Sequence, residues 1–170
     1  GVYYADVSSS DYRVNWISQT RGIEELVTYD VVHPTGGAPL FAAADFGIHA
    51  KDDLNRFSTT YGPRERVLIA AQQLDWSPSN PDFVVTNASD TRTFCCAEDG
   101  DAVMAGYSLD GGRQWTKFPT LPTPPGTSGA DPWRMSFGAI AVSANSIDNI
   151  VWAPSYNRSP FYTLDRGRTW

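Results

Sequence analysis

An eight-residue pattern occurs twice in the chain and constrains its fold more than any other feature of the sequence. Residues 108–115 read SLDGGRQW, and residues 163–170 read TLDRGRTW, 55 residues later. In these two segments, which we call the first and second octet, the Asp carboxylate is expected to accept hydrogen bonds from its own turn. The Gly three residues before the Trp is expected to supply a positive φ. Tight hairpins repeated at this spacing favour a propeller with one four-stranded blade for each copy.

The remaining sequence predicts short β-strands and no helix. No window of 11 or more residues keeps apolar residues at helical spacing. Fifteen Asp against four Glu, with 14 Gly and 12 Pro, favour a protein rich in strands and turns. The predicted strands, separated by Gly, Pro, Asn, Asp and Ser, cover residues 25–32, 39–44, 66–71, 82–86, 102–109, 114–118, 137–143, 149–153 and 161–164.

Charge and composition argue against several classes of partner. The net charge is −6, and the 11 Arg and two Lys are spread along the chain, so we expect no nucleic-acid partner. No apolar run approaches the ~20 residues of a membrane span, so we expect no membrane partner. The cysteines are the neighbours Cys95 and Cys96, which predict either two free thiols or a strained vicinal disulfide. The two histidines, His33 and His49, lack zinc-ligand spacing, so we expect neither a metal nor a cofactor.

Each octet resembles the Asp-box, or BNR repeat, of sialidases, xyloglucanases and sortilin-like receptors. Two copies at blade spacing make a chance match improbable. The resemblance implies that Asp110 and Asp165 cap turns at blade edges, away from an active face.

A more specific resemblance lies in residues 22–54, which contain Gly22-Ile23-Glu24-Glu25, Gly37-Ala38-Pro39-Leu40, Asp45-Phe46-Gly47 and Asp52-Asp53-Leu54. This order resembles the start of the second propeller in family 74 glycoside hydrolases, the xyloglucanases. Segments further along the chain resemble that family in the same order. The resemblance implies an all-β portion of a seven-bladed β-propeller of about three blades. It divides the chain into the end of a preceding blade (1–21), two blades (22–71 and 72–118) and an incomplete blade (119–170).

The same resemblance implies an extracellular enzyme that cleaves the β-1,4-glucan backbone of xyloglucan with inversion. Each of two propellers then supplies one catalytic aspartate, and the general acid maps to Asp45. Inverting hydrolysis needs the acid and base ~6.5–9.5 Å apart, with the acid kept protonated by partial burial. Asp45 follows the apolar run 40–44 and precedes Phe46, which suits such a carboxyl. The base would lie on a propeller outside this chain, so the isolated segment is predicted to be inactive.

Three further residues are candidate substrate contacts. They are Glu24 in the Glu24-Glu25 pair, His49 shortly after Asp45, and Trp133 in the Pro- and Gly-rich segment 119–136. Trp133 is a candidate because sugar C–H faces pack on aromatic rings.

The turn around Asp45 departs from the family pattern, which leaves two other interpretations open. Ala44 stands where the family has Gly, Ile48-His49 where it has Gly-Phe, and Lys51 where it has His. These changes favour a non-catalytic propeller that binds glycan or protein as the second hypothesis. A sialidase is the third, although no F/Y-R-I-P block is present. The expected partners are a polysaccharide, the remaining blades of the propeller and a second propeller domain.

Overall fold

The computed structural model describes residues 3–6, 14–18, 27–43, 47–56, 70–89, 104–122, 138–154 and 159–170. Within these ranges the chain contains strands and turns and no helix, which confirms the all-β prediction. The twelve strands are β1 (Tyr3–Asp6), β2 (Asn15–Ser18), β3 (Thr28–Val32), β4 (Leu40–Ala43), β5 (Gly47–Ala50), β6 (Ala70–Ser77), β7 (Asn80–Ser89), β8 (Met104–Ser108), β9 (Thr116–Lys117), β10 (Gly138–Ser143), β11 (Ser146–Pro154) and β12 (Phe161–Thr163).

The strands form four antiparallel sheets that follow one another along the chain. Sheet A contains β1 and β2, sheet B contains β3 to β5, sheet C contains β6 to β9, and sheet D contains β10 to β12. In every sheet each strand pairs with the next strand of the sequence. Consecutive meanders of this kind are the building units of a propeller. The predicted blade boundaries at residues 21, 71 and 118 remain a prediction.

Sheets B, C and D repeat one pattern residue by residue. Val85 pairs with Asp75 and Tyr107, just as Val151 pairs with Ala141 and Tyr162. We call the first strand of each of these sheets, β3, β6 or β10, its inner strand. Inner strands β6 and β10 are equivalent at an offset of 66 residues, and β8 and β12 are equivalent at an offset of 55. In sheet B, Leu40 pairs with Val32 and Ala50 at the position of Val85. This equivalence identifies matching residues in the three sheets.

Two apolar cores lie between the repeated sheets. The core between sheets B and C contains Leu40, Ala42, Ile48, Ala50, Ala71, Leu74, Val84 and Ala88. The core between sheets C and D contains Phe83, Val85, Ala105, Phe118, Ile140, Val142, Ile150 and Trp152. Sheet C therefore buries side chains on both faces, because its neighbours cover it from two sides. Burial of these apolar surfaces supplies the main stabilisation of each interface.

Hydrogen bonds from the inner strands join the same sheets. The Asp30 carboxylate accepts from the Leu74 N–H at 2.9 Å, across the interface of sheets B and C. Across the next interface, the Ile140 N–H donates to the Gln73 amide oxygen and the Val142 N–H donates to Asp75, each at 2.8 Å. These N–H groups belong to edge strands, where an unpaired donor would otherwise need water. Polar side chains of one inner strand thus accept hydrogen bonds from backbone N–H groups of the next inner strand.

Candidate functional site

Three of the four predicted site residues lie outside the described residues. They are Asp45, Glu24 and Trp133. Their assignment stays a prediction, and so does the chemistry of Cys95 and Cys96, which also lie outside.

The strands on either side of Asp45 belong to the described residues. Residues 44–46 join β4 to β5, and the flanking residues Ala43 and Gly47 are direct register partners. Ala43 and Gly47 are buried, and Gly47 has a φ of 77°. The connection that contains Asp45 therefore starts and ends at two fixed, buried points of sheet B.

His49, the fourth predicted site residue, lies in the middle of β5 opposite Phe41. Its neighbour Ile48 packs into the core between sheets B and C, so the His49 side chain points to the other face of sheet B. Only 2% of the His49 surface is exposed. A direct contact between this imidazole and substrate remains a prediction.

The tryptophans divide between core and surface. Trp152 is buried in the core between sheets C and D, and Trp76 and Trp115 pack against the core between sheets B and C. Trp16 on β2 is exposed. Trp16 is the one exposed tryptophan among those described, and exposed indole rings are the ones suited to stacking on flat ligand faces.

The first octet closes the turn between β8 and β9 with the hydrogen bonds expected from its sequence. Asp110 Oδ1 accepts from the Ser108 hydroxyl at 2.8 Å and from two backbone N–H groups, those of Arg113 (3.1 Å) and Gln114 (2.8 Å). The Ser108 hydroxyl oxygen in turn accepts from the Gly112 N–H at 2.8 Å. Gly112 has a φ of 87°, which confirms the predicted conformation.

The second octet repeats this network and adds one bond. Asp165 Oδ1 accepts from the Thr163 hydroxyl at 2.7 Å and from the Thr169 N–H at 2.9 Å, and Gly167 has a φ of 78°. The Thr169 hydroxyl also donates to Asp165 Oδ2 at 2.6 Å, where the first octet has Gln114. These bonds, led by the Thr163 hydroxyl, lower the pKa of Asp165 to about 2. The carboxylate is therefore held ionised as a cap and is unsuited to donate a proton near neutral pH.

A third turn, at the end of sheet B, occupies the position that the octets occupy in sheets C and D. Its sequence does not match the octet pattern. By register, Lys51 corresponds to Ser108 and Asp53 corresponds to Asp110. Asp53 Oδ1 accepts from the Asn55 N–H at 2.9 Å, and the Arg56 N–H donates to the Asp53 carbonyl oxygen at 3.2 Å. Lys51, buried where the octets have a hydroxyl, donates to the Arg56 carbonyl oxygen. The spacing of Asp53, Asp110 and Asp165 is the signal in the sequence that could have found this turn.

An ion pair links the Lys51–Arg56 turn to the first octet. The Arg113 guanidinium donates to both carboxylate oxygens of Asp52, at 3.0 and 3.3 Å. Arg113 lowers the pKa of Asp52, mainly through these hydrogen bonds and to a smaller extent through its opposite charge. Both side chains are exposed, so the pair orients two turns and adds little stability.

Strand direction separates the turns into two groups. β4 runs from Leu40, which contacts the first octet across the interface, to Ala43, where the connection with Asp45 begins. Three steps of a strand place these ends about 10 Å apart. The capping aspartates thus lie at one end of the sheets, and the connection that carries Asp45 leaves from the opposite end.

Within the described ranges, no group of three or more His, Cys, Asp or Glu side chains is arranged to hold a metal ion. No helix in the same ranges has the length and apolar character needed to cross a membrane.

Comparisons with known proteins place this arrangement in a family. No protein-family model matches the chain. The probable oligoxyloglucan-reducing end-specific xyloglucanase of Neosartorya fischeri is 30% identical over 166 residues, which cover 91% of this chain and 20% of that protein. Xyloglucanase Xgh74A of Acetivibrio thermocellus is 30% identical over 156 residues, which cover 89% of this chain and 16% of that protein.

Two solved structures share the fold over nearly all of the chain. The GH74 xyloglucanase of Xanthomonas campestris is 33% identical with a TM-score of 0.67, covering 92% of this chain and 20% of that one. The chain belongs to the GH74 family and corresponds to a segment of its members. The GH74 enzyme of Niastella koreensis, 21% identical with a TM-score of 0.63, supports the fold. The predicted portion of a β-propeller is thereby confirmed, and this GH74 segment spans about one fifth of the length of the relatives it matches.

Proposed function

We propose that this GH74 segment belongs to an extracellular enzyme that hydrolyses xyloglucan with inversion, and that Asp45 is its general acid. The observation that carries the proposal is the similarity to xyloglucanases over about nine tenths of the chain. The hydrogen-bonded caps supply a second argument. Asp110 and Asp165 are engaged in their own turns, whereas Asp45 belongs to a connection at the opposite end of the sheets.

In this mechanism Asp45 protonates the leaving glycosidic oxygen, and a carboxylate from a second propeller activates water on the opposite face of the sugar. The buried strand ends Ala43 and Gly47 hold the connection in place, since they are fixed by pairing. Glu24, His49 and Trp133 are the proposed contacts to the glycan, and His49 lies on β5, which follows the connection. Further blades and the second propeller complete the cleft, and the chain alone does not hydrolyse substrate.

The decisive experiment compares Asp45→Asn with Asp110→Asn in the whole protein. General acid catalysis contributes ~10²–10⁴-fold, so Asp45→Asn should lower kcat on xyloglucan by that order while binding persists. Aryl glycosides with good leaving groups need less protonation and should be less affected. Asp110→Asn makes the same chemical change at a cap, so it should lower the melting temperature and leave kcat nearly unchanged. Normal hydrolysis of the polysaccharide by Asp45→Asn would show that Asp45 is a turn residue.

A second candidate function is non-catalytic binding of glycan by the same propeller. It is favoured by Ala44 and by the buried pair Ile48-His49, which replace the residues of the family pattern around Asp45. In that case the whole protein would bind xyloglucan and release no product, and Asp45→Asn would change neither property.

A further inference from the structure

Sheet C contains a β-bulge in its inner strand, β6. Ala71 pairs with Ala88 of β7. The neighbouring residue of β7, Asn87, pairs with Gln73, so Gln72 is left between the two pairs without a register partner. The matching part of β10 in sheet D pairs with β11 without such an extra residue. A bulge bends its strand and re-aims a side chain, and bulges are common beside active sites.

The bulge lies at the end of the sheets from which the connection with Asp45 leaves. Ala71, next to Gln72, packs in the core between sheets B and C together with Ala42 and Ile48. Ala42 and Ile48 are register partners in β4 and β5, and one further pair separates them from the connection that contains Asp45. Gln72 therefore lies beside the strand ends that hold the proposed general acid.

The other amide side chains at this level of sheet C are engaged in the fold. Asn87 Nδ2 donates to the Gly138 carbonyl oxygen at 2.9 Å, and Asn87 Oδ1 accepts from the Gln73 N–H at 3.0 Å. Gln73 Oε1 accepts from the Ile140 N–H at 2.8 Å. Within the described residues, the Gln72 amide takes no part in this network. Its donor and acceptor groups are therefore open to a ligand.

The exposure of Gln72 comes from its place on the sheet. Gln72 is half-buried although both faces of sheet C are covered, by sheet B on one side and sheet D on the other. Because β6 is an edge strand of sheet C, the side chain reaches solvent past the inner edge or the end of the sheet. A ligand at this end can thus contact the amide without displacing either neighbouring sheet.

We propose that Gln72 is a substrate-binding residue, whose amide hydrogen-bonds hydroxyl groups of the glycan beside the bond that Asp45 would cleave. This contact rests on the proposed function, because the glycan must lie at the Asp45 end of the sheets. An amide suits the task, since it donates through its nitrogen and accepts through its oxygen, and each sugar hydroxyl also does both. A neutral amide also adds no charge that would shift the pKa of a carboxyl that must stay protonated.

The contact predicts that Gln72 variants of the whole protein bind xyloglucan more weakly. Gln72→Ala and Gln72→Leu each remove the amide, so each should raise the Kd about three- to tenfold. Gln72→Leu retains most of the side chain's bulk, which separates the lost hydrogen bonds from lost packing. The melting temperature of both variants should stay close to that of the wild-type protein. Affinity electrophoresis in gels that contain xyloglucan measures the Kd whether or not Asp45 is the acid.

Gln73→Leu is the matched control, one residue further along β6. It removes the acceptor of the Ile140 N–H, so it should lower the melting temperature and leave the Kd unchanged. Unchanged affinity in folded Gln72→Ala and Gln72→Leu proteins would overturn the contact alone. An equal loss of affinity in Gln73→Leu would also overturn it, because distortion of β6 would then explain both losses. A wild-type protein that does not bind xyloglucan would overturn the proposed function and the contact with it.

Discussion

Arg166 provides the sharpest test of how sheets C and D hold together. It occupies the second octet with a φ of 57°, a conformation that glycine adopts at the equivalent Gly111 of the first octet. Its Nε and one terminal nitrogen donate to Asp148 Oδ1 at 3.1 and 2.9 Å. The same guanidinium lies 5.7 Å from the ring centroid of Phe83 and 5.8 Å from that of Tyr107, both in sheet C. One side chain therefore connects an acid of sheet D with two aromatic rings of sheet C.

The expected loss can be worked out from these contacts. A partly exposed ion pair contributes about 0.2–1 kcal/mol, and each cation–π contact contributes about 0.5–1 kcal/mol. We therefore expect Arg166→Ala to lower the free energy of unfolding by about 2 kcal/mol. The positive φ costs a residue with a Cβ about 1 kcal/mol, which only glycine avoids. Arg166→Gly loses the same contacts but relieves this strain, so it should be about 1 kcal/mol more stable than Arg166→Ala.

Equilibrium urea unfolding followed by tryptophan fluorescence measures these differences. Trp152 and Trp170, whose ring centroids lie 6.1 Å apart, report on this interface. A double-mutant cycle of Arg166→Ala with Phe83→Leu should give a coupling energy of at least about 0.5 kcal/mol. An Arg166→Ala protein as stable as wild type, or a coupling energy near zero, would show that Arg166 does not hold sheets C and D together.

Three further predictions concern the turns. Asp110→Ala removes the acceptor of two backbone N–H groups and should cost about 1–2 kcal/mol of stability in a thermal melt, with kcat of the whole protein unchanged. Because Asp165 has a folded pKa of about 2, below its unfolded value, its contribution is present above about pH 4 and is lost as the pH falls towards 2. Thr169→Val should therefore reduce the fall in melting temperature between these pH values relative to the wild-type protein. Arg113→Ala, which frees Asp52, should change the melting temperature less than Asp110→Ala does, and the change should vanish in high salt.

The octets show how far a repeated motif predicts structure. The backbone donors to Asp110 and Asp165 and the positive φ of Gly112 and Gly167 are all present as expected. These features are local, because a carboxylate and a glycine at fixed spacing determine the turn without help from the rest of the chain. The related turn at Asp53 was missed, since Lys51 stands in place of the hydroxyl and no Trp completes its pattern.

Strands were predicted correctly where their buried side is apolar. They were missed where polar side chains are buried because they bond to a neighbouring sheet. The predicted range 39–44 matches β4, and the range 161–164 matches β12 within one residue. Most of β6 was missed because its inner face carries Gln73 and Asp75. These polar side chains bond to the next sheet, a contact that no local pattern contains. β5 was missed because four residues do not establish an alternation.

The candidate site was the least predictable part of the chain, for a related physical reason. Resemblance to a family identifies Asp45 by order in the sequence, but catalytic competence depends on the environment that raises its pKa. In the proposed enzyme that environment would come from several blades and from an opposing domain, and residues 40–46 specify none of it. His49 illustrates the point, because its place on the chain made it a candidate contact while the fold buries its side chain on β5. If His49 supports the connection, His49→Ala should lower kcat through displacement of Asp45, and His49→Asn should restore part of the activity without changing the pH at which the rate is halved. An unchanged kcat in a folded His49→Ala protein would separate His49 from the site altogether.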